Sequence, residues 1–282
     1  MTVGCSQALY VSILCLVKPG DEVILFEPFF DLYIGQIRMA GGTPRYVPLR
    51  SQDGSWELDF DCLESTLNGR SRVLILNSPH NPTGKVFSAA EMLRIADIVR
   101  RFPMLTVVSD EVYKYTVHGS EAGHVHFASL PGMFDQTLTL SSAGKTFSGM
   151  FHLRPHLHAA SFPRAAAPSF APASSLFGTV VTGWQVGWIV GPERILHDIH
   201  IALPFLQFCA STPMQQALVG VLEEAEKPYR GSANYYDWLC AQYRRKAAML
   251  SKSLARAGLP VVESEGGYFL TVDVSGVDVP AR

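Results

Sequence analysis

The alternation of short strand-like runs with longer amphipathic stretches constrains this chain more than any single residue does. Runs at Val23–Phe26, Arg45–Pro48, Val73–Asn77, Thr106–Asp110, Thr137–Ser141 and Val186–Val190 predict strands. Helical patterns at Ser6–Val17, Phe29–Ala40, Ser88–Phe102 and Glu193–Leu203 lie between them, and Ser88-x-x-Glu91 is a capping box that marks one helix start. Such alternation predicts an α/β fold: a mainly parallel sheet with helices on its faces. Ligands in sheets of this kind bind outside the carboxyl ends of the strands. Beyond Pro213 the pattern turns mostly helical, through Gln215–Glu226 and Asn234–Ala257, before strands at Val261–Glu263 and Tyr268–Val274. The expected division is a large domain over residues 1–212, with linking helices and part of a smaller α+β domain over residues 213–282. No internal repeat is visible.

At 282 residues and 48% hydrophobic, the chain is long and apolar enough for a substantial core. A formal net charge of −2 gives no electrostatic reason to expect nucleic acid or an anionic membrane as partner. The 5 cysteines, an odd number without a Cys-x-x-Cys pair, fit a reducing compartment. The apolar run Leu9–Val17 is far shorter than the ~20 residues a membrane span needs, and no basic segment precedes it. It reads as a core helix. No targeting or lipidation motif is visible, and Met1-Thr2-Val3-Gly4 reads as a strand end turning into a helix, as if the chain begins in mid-domain.

One lysine stands where chemistry is expected. Ser141-Ser142-Ala143-Gly144-Lys145-Thr146-Phe147-Ser148 follows the strand-like run from Thr137. A phosphate-binding loop would need a glycine where Thr139 stands. The Ser142-x-x-Lys145 spacing of penicillin-recognising acyl enzymes lacks its companion Ser-Asp-Asn and Lys-Thr-Gly motifs, each missed by one residue. The third reading is a lysine that forms an imine with pyridoxal 5′-phosphate, and it makes demands on the rest of the chain.

That cofactor needs a carboxylate on its pyridine nitrogen, because the protonated ring is the electron sink. Asp110 ends a strand in Ser109-Asp110-Glu111-Val112-Tyr113, although an aspartate there also suits a helix cap. Tyr113 and Asn81, the latter in the rigid loop Asn77-Ser78-Pro79-His80-Asn81-Pro82-Thr83-Gly84, are candidate donors to the phenolate oxygen. The phosphate wants backbone N–H groups at a helix N-terminus, which Gly4-Cys5-Ser6-Gln7 supplies, with Ser142 adding a hydroxyl. Phe29 or Phe30, after the strand Val23–Phe26, would cover the ring face. Each feature alone has a bland alternative as a turn or a core residue. Together they follow one order along the chain, each at a strand end.

On these stretches the chain resembles class I/II aminotransferases of the fold-type I pyridoxal enzymes. It is most similar to the kynurenine–oxoglutarate transaminase, or cysteine-S-conjugate β-lyase, group. Glu27-Pro28-Phe29-Phe30-Asp31-Leu32-Tyr33, Met39-Ala40-Gly41-Gly42, Thr182-Gly183-Trp184-Gln185-Val186-Gly187-Trp188 and Glu265-Gly266-Gly267-Tyr268-Phe269 carry the resemblance further. It implies that Lys145 is the imine lysine and the proton-moving base. It assigns Asp110 to the pyridinium, Tyr113 and Asn81 to the phenolate, and Asn81 also to the substrate carboxylate. Phe30 becomes the ring stacker, and Cys5, Ser6 and Ser142 join the phosphate cup. The implied reaction exchanges an amino group between an amino acid (kynurenine, glutamine, methionine-like or aromatic) and a 2-oxo acid, with elimination from cysteine S-conjugates as a side activity. A homodimer is implied too, in the cytoplasm or alternatively the mitochondrion. A related pyridoxal lyase and a fragment without turnover are the competing readings.

The chain departs from the family in places. Gln185 stands where relatives carry a basic residue for the phosphate, and a glutamine cannot neutralise that charge. It also lies much farther beyond Lys145 than in the family, because Gly149–Val181 intervenes. That segment holds seven alanines, four prolines, three histidines and no acid. It reads as a disordered insertion, and unspliced intron sequence is our hypothesis for its origin; cDNA spanning it would disprove that. The family's substrate-gripping arginine near the C-terminus has no counterpart, since only Arg282 follows Glu265. The chain therefore reads as truncated at both ends, with low activity or none as written. His118, His124 and His126 with Glu121 match no ligand spacing, and neighbouring Gly119 and Gly123 make them surface histidines in a loop; no metal is expected.

Overall fold

The structure, a computed structural model, describes residues 1–52, 54–119, 123–147, 181–274 and 276. The chain enters on β1 (Thr2–Val3) and turns at once into α1 (Gly4–Leu16). β2 (Glu22–Glu27), α2 (Leu32–Met39) and β3 (Thr43–Gln52) follow, then β4 (Ser55–Leu58), α3 (Phe60–Thr66) and β5 (Ser71–Asn77). Next come α4 (Ala89–Arg100), β6 (Thr106–Asp110), β7 (Thr137–Ser142), the one-turn α5 (Ala143–Thr146) and β8 (Val186–Val190). Three helices complete the main body, α6 (Glu193–Leu206), α7 (Thr212–Ala225) and α8 (Tyr235–Arg256), before the short strands β9 (Val261–Val262) and β10 (Thr271–Val272).

Eight strands form one sheet in the order β1-β8-β7-β6-β5-β2-β3-β4. The run β7-β6-β5-β2-β3 is parallel, while β8, β1 and β4 pair antiparallel at the two flanks. The central strands are apolar on both faces because both faces are covered. In β5, Leu74 and Leu76 join a core beneath α3 and α4, whereas Val73 and Ile75 join a second core beneath α1, α2 and α6. The capping box of α4 forms as the sequence predicts, and Met92, Ile95, Ala96 and Val99 make its buried stripe. Leu9 and Ile13 bury α1 in the second core, and among the described residues no helix is long and apolar enough to cross a membrane.

Three differences from the sequence reading have physical causes. The helix expected from Phe29 begins at Leu32, because Phe29 turns aside to stack on Tyr46 with ring centroids 5.6 Å apart. The hairpin strand β4 and α3 were not expected; Asp59 starts that helix by accepting from the Cys62 N–H at 2.9 Å. The strand expected over Tyr268–Val274 shrinks to Thr271–Val272. Just before it, Glu265 and Gly266 donate to the Gly84 carbonyl, and the Glu265 carbonyl accepts from His118 and Gly119, so this backbone bonds the large sheet's loops instead of a ladder. The segment 149–181 lies outside the described residues except for Val181, which opens a 3-10 turn to Trp184.

Candidate active site

Strand register brings the chemistry together. Asn77 lies opposite Asp110, and Asp110 opposite Leu140, so the parallel strands β5, β6 and β7 end side by side. The Asn77 side-chain amide donates to the Asp110 carbonyl at 2.9 Å, and its oxygen accepts from the Asn81 N–H at 2.7 Å. This fixes the proline-bounded loop against the end of β6. The Asn81 side chain makes no hydrogen bond among the described residues, leaving its amide for a ligand.

Asp110 is buried at 4% exposure and has no ion-pair partner among the described residues. Its Oδ2 accepts from the Tyr33 hydroxyl at 2.7 Å, and its Oδ1 from the Cys5 thiol at 3.7 Å and the Val112 N–H at 3.4 Å. Burial raises its pKa, and the donors only partly offset that. Tyr33 and Cys5 are themselves held well above their ordinary values by burial and by the carboxylate, so both remain protonated donors. Buried charges are ordinarily paired, so this carboxylate, served by neutral donors alone, is suited to a cationic N–H partner.

Lys145 sits in α5, directly after β7, half-buried. Its Nζ donates to the Tyr268 hydroxyl at 2.9 Å, and the Tyr113 hydroxyl donates to the same oxygen at 3.3 Å. The rings of Tyr113 and Tyr268 stand edge to face at 5.2 Å, with Nζ 5.8 and 5.5 Å from their centroids. Burial and the bond to Tyr268 push the Tyr113 phenol far up, so it too stays a donor. Tyr235 stacks on Phe147 and donates to the Thr146 carbonyl at 3.0 Å, fixing the lysine turn from behind.

The start of α1 meets the start of β8. The Gly4 N–H donates to the Gln185 carbonyl at 2.8 Å. Gly4 has φ +67°, and a Cβ there would meet Gln185 Oε1 at 2.4 Å; one on Gly187 would meet the Gly4 carbonyl carbon at 2.5 Å. Glycine is thus required at both positions for this close approach. Gln185 therefore lies beside the helix N-terminus where an anion would bind. Ser6 is exposed on that turn, while Cys5 is half-buried and Ser142 buried. Phe30 is exposed and meets Tyr33 edge-on at 5.7 Å, which places it, rather than Phe29, near the carboxylate.

Two participants have no role in the sequence reading. Tyr33 lies inside a quoted family stretch, three residues beyond Phe30, but its bond to Asp110 spans 77 residues of chain. Tyr268 reaches Lys145 across 123. The histidine reading needs correction. His118 is buried, and so is the His124 side chain at 6% exposure, whereas only His126 is half-exposed. The acidic partner of His124 and His126 is Glu111, whereas His118 lies beside Arg244; Glu121 lies outside the described residues. Burial would raise the Glu111 carboxyl, but hydrogen bonds from His124 and His126 outweigh that and lower it to about 2.

The family described as aminotransferase class I and II matches residues 1–154 and 178–280. The chain belongs to that family. The match passes over residues 155–177, inside the segment that composition sets apart. A kynurenine–oxoglutarate transaminase of Dictyostelium discoideum is 36% identical over 98% of this chain, and the human kynurenine–oxoglutarate transaminase 3 is 34% identical over 99%. This chain spans 58% and 56% of those two proteins' lengths. Among solved structures, N-succinyldiaminopimelate aminotransferase of Mycobacterium tuberculosis superposes with a TM-score of 0.80 at 33% identity, covering 98% of this chain and 62% of the other. A methionine aminotransferase of Escherichia coli gives 0.80 at 30% identity over 99% and 62%. The architecture is that of the fold-type I aminotransferases.

Proposed function

We propose that this class I/II aminotransferase chain holds pyridoxal 5′-phosphate on Lys145 and moves an amino group between an amino acid and a 2-oxo acid. The observation that carries this reading is the placement of Asp110 at the end of β6 and of Lys145 in the turn that follows the adjoining strand β7. Asp110 is a buried carboxylate served by neutral donors, and Lys145 holds its amine on the Tyr268 hydroxyl in the turn after the neighbouring strand. The donor set fits the cofactor. Asp110 would take its ring nitrogen, Tyr113 and Asn81 its phenolate, Phe30 its ring face, and the start of α1 with Cys5, Ser6 and Ser142 its phosphate. When bound, the cofactor supplies an electron sink for charge developing at the substrate's Cα.

The chain's own residues do the rest. Lys145 Nζ takes the proton from the substrate Cα and can return it, and the Tyr268 hydroxyl aims that nitrogen. Tyr33 and Cys5 keep the Asp110 carboxylate oriented while its charge is met. Asn81, held on its loop by Asn77, would meet the substrate carboxylate. The names of the chain's relatives favour kynurenine as donor and oxoglutarate as acceptor, and the methionine aminotransferase neighbour favours a methionine-like donor next; glutamine, aromatic donors and cysteine S-conjugates rest on the sequence resemblance alone.

The test is covalent capture. Borohydride reduction of the cofactor-treated chain should add one reduced pyridoxal phosphate group to the peptide containing Lys145, and Lys145→Ala should abolish both that mass and the cofactor's protein-bound absorbance. If Lys145→Ala keeps the absorbance, the assignment of this lysine is wrong.

A further inference from the structure

Glu111, His124 and His126 form a convergent cluster that the aminotransferase reading does not use. His124 Nε2 lies 3.1 Å from Glu111 Oε2, and His126 Nδ1 bonds the same oxygen. One ligating atom from each residue lies within 4.8 Å of the other two. The imidazoles meet edge to face, with centroids 4.7 Å apart. The Ser109 hydroxyl donates to Glu111 Oε1 at 2.9 Å, so the carboxylate's second oxygen is already held and Oε2 alone faces the rings.

A pair of histidines serving one carboxylate is common as a plain hydrogen-bond cluster. What sets this one apart is convergence on a single atom: both imidazole nitrogens meet Glu111 Oε2, with the His124 side chain only 6% exposed.

We propose that Glu111, His124 and His126 bind a borderline divalent cation of the zinc class. The ligands would be Glu111 Oε2, His124 Nε2 and His126 Nδ1. Two imidazoles and one carboxylate suit Zn²⁺, Co²⁺ or Ni²⁺ better than Mg²⁺ or Ca²⁺, which prefer all-oxygen sites. Ligand bonds of about 2.0–2.2 Å draw these atoms together around one ion. His126 is half-exposed, which leaves an entry path and a fourth position open to water.

The site would reach the cofactor residues through one peptide bond. Glu111 follows Asp110; its N–H donates to the Leu140 carbonyl at 2.9 Å, and its carbonyl accepts from the Ser141 hydroxyl at 3.5 Å. A bound ion would fasten the loop carrying His124 and His126 to the ends of β6 and β7.

Titration of the chelator-treated full chain with Co²⁺ tests the proposal. One equivalent should bind, give visible absorption bands of four- or five-coordinate Co²⁺, and raise the melting temperature. His126→Ala removes an accessible ligand with little risk to folding. It should weaken Co²⁺ binding by more than the roughly 10–100-fold that loss of an outer-shell partner costs. His126→Asp, which restores a ligand atom, should recover part of the affinity. His197→Ala, on the exposed face of α6, and Lys145→Ala should leave binding unchanged, so this result is separate from the cofactor assignment. Absence of stoichiometric binding, or binding that His126→Ala leaves intact, overturns the proposal.

Discussion

At the scale of single residues, the exchange that matters most is at Gln185. Its carbonyl takes the Gly4 N–H and its side chain lies against Gly4, so whatever stands there faces the start of α1, the phosphate site proposed above. A neutral amide can hydrogen-bond a phosphate but leaves its charge unmet, while a lysine adds a charge-assisted bond about twice as strong. Gln185→Lys should therefore tighten pyridoxal phosphate binding by about tenfold, a difference of about 1.4 kcal/mol. Fluorescence titration of both chains checks this, and equal affinities would remove Gln185 from the phosphate site. Lys145, Asp110 and Asn81 were legible in the sequence because each sits in a local strand-end context. Tyr33 and Tyr268 were not, because nothing within either residue's neighbourhood shows that a distant partner will meet its hydroxyl.

At the scale of elements, central strands and helices were legible because their periods match their burial. Val73, Leu74, Ile75 and Leu76 serve two cores in alternation, and α4 announces itself by its cap. What was missed depends on tertiary contacts: β10 is short because Glu265 and Gly266 bond Gly84 across the fold. The one-turn helix α5 shows the same dependence. Too short to be stable alone, it leaves its final carbonyls without helical partners. Tyr235, fully buried on α8, donates its hydroxyl to one of these, the Thr146 carbonyl. Tyr235→Phe keeps the ring stacked on Phe147 but leaves that carbonyl unpaired, and should cost about 1–2 kcal/mol of unfolding free energy. Urea unfolding measures it, and a change below about 0.5 kcal/mol would mean that water replaces the bond.

At the scale of the whole molecule, the two cores on opposite faces of the sheet are joined by a third that holds Ala143, Phe147, Val186, Leu218, Val221 and Tyr235. That third core crosses the division expected at residues 212 and 213, so the lysine turn depends on helices beyond it. Stability of such an arrangement should fall in acid, and His80 offers a specific reason. Its ring is 2% exposed, faces the nearby Lys85 charge, and bonds the Thr83 hydroxyl at 2.8 Å. Burial first, and Lys85 second, lower its pKa from 6.5 to about 3. Between those values the unfolded chain holds a proton on this ring that the folded chain refuses. Unfolding free energy must therefore rise with pH there. The contribution is fully present above pH 6.5 and is lost as pH falls toward about 3, at about 1.4 kcal/mol per pH unit. Buried or paired carboxylates such as Glu22, whose pKa is also lowered, add acid sensitivity of the same sign. The test is accordingly a difference. His80→Gln removes the titrating ring, so between pH 4 and 6 the slope of unfolding free energy should be shallower than wild type by roughly 1 kcal/mol per unit. Parallel slopes for the two chains would show that this histidine takes up its proton without unfolding the protein.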